Sequence, residues 1–147
     1  MFGSVNIPGT NNIFVTDVTF GAVILSLSNL SKPLAVTKIA DQKATCWATT
    51  SSVTGTGFVD DVVLSQLTEI DLSTGAIVDE VNDGNDNQGM TDLSAVGGRI
   101  YALSPGNGTI PAAVTVFDIS GGRGTAKSVQ NFRVAGADKN AEGLAWV

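Results

Sequence analysis

The chain contains no histidine. That removes the commonest general base and the commonest transition-metal ligand, and it excludes any Ser-His-Asp or Cys-His arrangement within the chain. Cysteine occurs once, as Cys46, so no intrachain disulfide can form. Its neighbours Thr45 and Trp47 supply no cation to lower its pKa, and it reads as a buried thiol and not as a nucleophile. Cations are scarce: 8 Lys+Arg stand against 14 Asp+Glu, for a net charge of −6. With no basic run, the chain lacks the electrostatic footprint of a nucleic-acid binder, and its acidic balance disfavours anionic membranes. The apolar stretch GAVILSLSNL (Gly21–Leu30) is too short to span a bilayer. Met1–Val5 has neither a charged region nor a long apolar run, so no signal peptide is read there.

What remains is an apolar, weakly charged composition, 43% hydrophobic and 15% charged, at a length that fits one globular domain. Val, Ile, Thr and Phe are frequent, and no long stretch has a 3.6-residue period. Short apolar or alternating runs are separated by Gly, Asn, Asp and Ser clusters, which is the punctuation of an all-β chain.

The runs recur. IFVTDV, GFVDDV and RIYALS place aromatic residues at Phe14, Phe58 and Tyr101, 44 and 43 residues apart. LSLS (Leu25–Ser28), IDLS (Ile70–Ser73) and FDIS (Phe117–Ser120) follow at spacings of 45 and 47. Each leads into a polar or glycine turn, NLSKP, TGA and GGRG, and then into AVTKIA, AIVDEV and KSVQNFRV. A fourth series, ATCWATTS, GMTDLSAV and EGLAWV, closes the cycle. Four short strands per repeat of this length is the signature of a β-propeller blade. The fold expected is therefore all-β, with about three four-stranded blades over residues 1–40, 44–81 and 89–134. A closing inner strand is expected over 141–147. A β-sandwich would also give short strands and frequent turns, but not one fixed period of strand types. In FVDDV, Asp60 and Asp61 read as exposed between Phe58 and Val62. LTEIDL breaks the alternation, which a β-bulge would explain.

Three blades do not close a ring, since propellers use about four to eight. The chain is then either part of a longer protein that carries the missing blades, or it closes as a homodimer with EGLAWV of one copy pairing into the other.

The stretch from about Val81 onward carries a resemblance. YALSPGNGT (Tyr101–Thr109), VFDISGGRG (Val116–Gly124) and VQNF (Val129–Phe132) resemble the C-terminal blades of a group of fungal secreted β-propeller proteins. That group includes a Malassezia allergen and propeller proteins of trichothecene-type gene clusters. EIDLSTG (Glu69–Gly75) is a more general propeller phrase, and the first half of the chain matches only loosely. The resemblance implies an extracellular or cell-wall setting, with a small-molecule or protein ligand at the channel face. On that setting the sequons at Asn29 and Asn107 become glycosylation candidates.

More distantly, the layout is similar to the gluconolactonase and lactonase-like propellers, which hold a divalent metal in the channel. AEGLAWV is similar to their Glu-Gly-Pro-x-Trp opening strand and places Glu142 at a metal-binding carboxylate, with Leu144 in place of the Pro. NDNQGMTDL offers Asn87 where the family has an Asn-Gly-Leu phrase, although Gln88 directly precedes the Gly. Asp17 in FVTDV is similar to the family's Asp at the end of its second strand. Asp61 holds that place in the second repeat and Ser104 in the third. The implied metal set is Glu142, Asn87 and Asp17, with oxygen ligands that suit Ca²⁺ or Mg²⁺. It would support a metal-dependent lactonase or cyclase-like activity as the alternative to a non-catalytic binding module.

Trp47 and Trp146 fall on inner strands, where they could stack a ligand at the channel mouth, with Asp92 beside them. The competing reading is packing between blades. Asp83, Asn85 and Asn87 have the one-three-five spacing of an EF-hand, but Gly89 comes one place late and position twelve is Ser94, so an EF-hand is rejected. GNGT and SGGRG lack P-loop spacing and read as hairpin turns.

Overall fold

The computed structural model describes residues 1–145. Among them there is no helix, and the twelve strands form three four-stranded antiparallel sheets. Sheet one is β1 (Ser4–Asn6), β2 (Asn12–Asp17), β3 (Gly21–Ser26) and β4 (Ala35–Lys38). Sheet two is β5 (Thr45–Ser51), β6 (Thr56–Asp61), β7 (Gln66–Asp71) and β8 (Ile77–Asn82). Sheet three is β9 (Asp92–Val96), β10 (Arg99–Ser104), β11 (Ala113–Asp118) and β12 (Lys127–Arg133). In each sheet the strands pair in chain order, so each is a meander. The first strands of the sheets neighbour one another, β1 against β5 and β5 against β9. This is a propeller-like arrangement, and the described residues form no closed ring.

Antiparallel pairing sets the two faces of every sheet, because directly opposed residues point the same way. In sheet one Phe14 is opposite Val5 and Ile24. These residues pack with Val59 and Ile70 of sheet two. In sheet two Phe58 and Leu67 point the other way and pack with Leu93, Ile100, Ala102 and Phe117 of sheet three. Phe14 and Phe58, 44 residues apart, therefore make the same joint twice, each facing the sheet that follows. Both rings are fully buried, each contributing about 1.5–3 kcal/mol of burial. The Phe14 ring lies directly on Gly57, where an added Cβ would come within 2.7 Å of it. The missing side chain is what lets sheets one and two approach.

Polar pins repeat at the outer side of each joint. The Thr37 hydroxyl donates to the Gly75 carbonyl at 2.7 Å, joining β4 to the β7–β8 turn. One sheet along, the Gly124 N–H donates to Glu69 Oε2 at 3.0 Å, and Arg123 pairs with Asp71 at 2.5 Å. The β11–β12 turn is thereby tied to β7.

The broken alternation in LTEIDL is a register shift between Glu69 and Ile70 that leaves Val78 as an extra residue on β8. A matching shift between Val116 and Phe117 leaves Val129 extra on β12. Two expectations need correction. Asp60 and Asp61 are buried, not exposed, because β6 lies in the middle sheet and both of its faces are covered. Residues 141–145 carry no strand, so a closing inner strand is absent from the described part of 141–147.

Candidate functional site

The unusual chemistry of the molecule gathers where β5, β6 and β9 meet. A bulge between Thr45 and Ala48 turns the β5 backbone so that the Trp47 N–H donates to Asp60 Oδ1 at 2.8 Å. Asp60 Oδ2 is buried with no hydrogen-bond partner. Burial pushes the Asp60 carboxyl up to about 8, and the charges of Asp92 and Asp61 push the same way against the Trp47 N–H. Below that pH it is a neutral acid with an O–H to donate. Its neighbour Asp61 behaves in the opposite sense. Burial would raise it, but backbone N–H groups of Ala44, Val63, Lys43 and Leu64, at 2.6–3.0 Å, hold it below the usual carboxylate range. Adjacent carboxylates driven apart by their surroundings mark a place where protonation is controlled. Burial also pushes the Cys46 thiol up, as do the charges of Asp60 and Asp61, which opposes thiolate formation there.

Trp47 is 39% exposed on β5. Asp92 opens β9; its Oδ1 accepts from the Leu93 N–H at 2.8 Å and its Oδ2 from the Leu144 N–H at 2.7 Å. Leu144 and Ala145 close an apolar cavity of about 220 Å³ together with Ser94, Tyr101 and Val114. Trp146 lies outside the described residues.

Two of the three residues of the implied metal set hold other partners. Asp17 ends β2 and holds the turn to β3 through Thr19, accepting from its N–H at 2.9 Å and from its hydroxyl; its other oxygen is 3.4 Å from the N-terminal amine. Those Thr19 hydrogen bonds lower its pKa. Asn87 sits against the outer strands of sheet three, with its carbonyl oxygen accepting from Arg133 at 2.7 Å. Arg133 also pairs with Asp86. Glu142 is exposed on the C-terminal segment. The Asn87 oxygen thus faces a guanidinium and the Asp17 carboxylate holds its own turn, so as placed each already serves another partner. Among the described residues no group of three Asp, Glu or Cys side chains is placed to hold one.

The equivalent positions Asp17, Asp61 and Ser104 instead share a place at the end of the second strand of each sheet. The two carboxylates there hold backbone turns and the start of the first strand, while Ser104 Oγ is buried without a partner. Sequence reasoning missed Asp60. The signal was available in FVDDV, since two consecutive residues of a strand point to opposite faces, and in a middle sheet neither face is water.

Compared with known families and with curated proteins, the chain matches no family model and no curated protein.

Proposed function

We propose that the chain is a run of three β-propeller blades and that it acts as a non-catalytic binding module. Its ligand, a small molecule or a partner's exposed side chain, sits on the inner-strand side at Trp47 and Asp92. The observation that carries this reading is the exposed Trp47, whose backbone N–H holds the raised Asp60 carboxyl, with Asp92 close to Asp60 on the next inner strand. An aromatic face beside acidic oxygens suits ligands with a flat or sugar-like surface and hydrogen-bond donors or a cation. The absence of histidine supports binding over catalysis. An extracellular or cell-wall setting follows from the resemblance of the second half to secreted fungal propellers. The lactonase reading draws no comparable support, because Asp17 and Asn87 are held by other partners.

The test is a panel of oligosaccharides and a soluble fragment library, read by ligand-observed NMR. Compounds that bind should lose at least tenfold in affinity in Trp47→Ala and severalfold in Asp92→Asn. Binding that survives both changes would place the site elsewhere.

A further inference from the structure

The joint that Phe14 and Phe58 make twice has a third half on each side. On sheet three the face that corresponds to them carries Tyr101, Leu103, Val114 and Phe132, set by the register of β10, β11 and β12. It points away from sheet two, which packs on the opposite face. On sheet one the face that corresponds to Val59 and Ile70 carries Val15 and Leu25. They cluster with Ile13, Phe20 and Val23, among the described residues all of sheet one, and Val15, Val23 and Leu25 are themselves only 5–8% exposed. One end of the molecule thus offers the forward half of the joint, and the other end offers the receiving half.

We infer that a second copy of this chain fills both: the forward face of sheet three docks on the receiving face of sheet one of the partner, twice, in a closed pair.

Three further features match. Val78, the extra residue on β8, is where the following sheet's turn arrives, at Gly124. Its counterpart on β12 is Val129, and Val129 and Phe132 are 49% and 58% exposed. The turn that would arrive there is the β3–β4 turn of the partner. It presents Leu27, Leu30 and Leu34, 49–59% exposed; Leu27 has apolar counterparts in Leu72 and Ile119, but at Leu30 and Leu34 the other two turns carry small and polar residues.

Charge follows the same order. Sheet one has Ser26 at the end of its third strand, and the turn it meets, Ser73–Ala76, has no cation. Sheet two has Asp71 there, and the turn it meets supplies Arg123. Sheet three has Asp118, which already pairs with Arg99 at 2.6 Å, and the partner's β3–β4 turn brings Lys32 as a second cation beside it.

Closure selects the number of copies. Two copies bring six sheets and three bring nine, whereas closed propellers hold about four to eight. A head-to-tail contact that closes on itself gives both end sheets a second joint. The inner end of the forward face is occupied by residues 141–145, held by the Leu144–Asp92 hydrogen bond. Docking brings the partner's β1 to that place, and the segment moves off Asp92.

Light scattering after size exclusion should give twice the 15.0 kDa of one chain. The exposed-site changes Phe132→Glu, and Leu27→Glu combined with Leu30→Glu, should each return a monomer whose circular dichroism matches the parent. A monomeric parent at 0.1 mM (on the order of the concentrations where weak dimers form) would overturn the proposal. So would open polymers, or a dimer that resists both variants. A dimer broken by only one of the two would also overturn it, since that means like faces meet.

Discussion

At the scale of single residues, Asp60 governs how stability follows pH. Its folded-state pKa, about 8, lies above the ordinary 3.8, so the native state binds a proton that the unfolded chain has released over that interval. Its contribution is complete below pH 4 and is lost as pH rises toward 8, at no more than about 1.4 kcal/mol per pH unit. Asp17, Asp61 and Asp71 run the other way: their pKa values are lowered, and what they contribute is lost as pH falls below about 4. Stability should therefore peak in mild acid. In Asp60→Asn the alkaline-side decline between pH 5 and 8 should flatten, and the variant should melt at or above the parent at pH 8. Melting curves across that range decide it, and parallel slopes in parent and variant would show that Asp60 is not the group responsible.

At the scale of elements, the strands and turns were readable and their depth was not. The period of about 44 residues located every sheet, and the irregular LTEIDL pointed to the bulge found at Glu69–Ile70. Periodicity reports which residues alternate, but it does not report that a sheet has a neighbour on both sides. That is why Asp60 and Asp61 read as exposed. EGLAWV has the pattern of an inner strand, but its described part, Ala141–Ala145, has no paired neighbour to extend. A strand is a property of a pair, and sequence supplies one member. Gly57 is simply the first residue of GFVDDV in the sequence, yet in the structure it is the seat of Phe14. Gly57→Ala would set its Cβ 2.7 Å from that ring and 2.8 Å from Leu72, and should cost about 1–3 kcal/mol through overpacking. Denaturant titration measures this. A neutral result would mean that the joint between sheets one and two is loose enough to shift.

At the scale of the whole molecule, the described sheets form a short stack in which sheet two packs between sheets one and three. Stability in such a stack is a sum of unit and joint terms, so the unit with two joints outlasts those with one. Sheet two has both: Val59 and Ile70 face sheet one, and Phe58 and Leu67 face sheet three. Its central strands β6 and β7 are buried along nearly their whole length, whereas β12 is mostly exposed and β4 is an edge with two exposed positions. Amide exchange should therefore be slowest in β6 and β7 and fastest in β4 and β12, with protection differing by at least tenfold. Uniform protection across all three sheets would show instead that the molecule opens as one unit. Joining the two open ends should raise protection in sheets one and three toward that of sheet two, since each then acquires its second joint. Phe132→Glu should remove that gain and leave the exchange of β6 and β7 the least changed, because the joints on either side of the middle sheet do not involve Phe132.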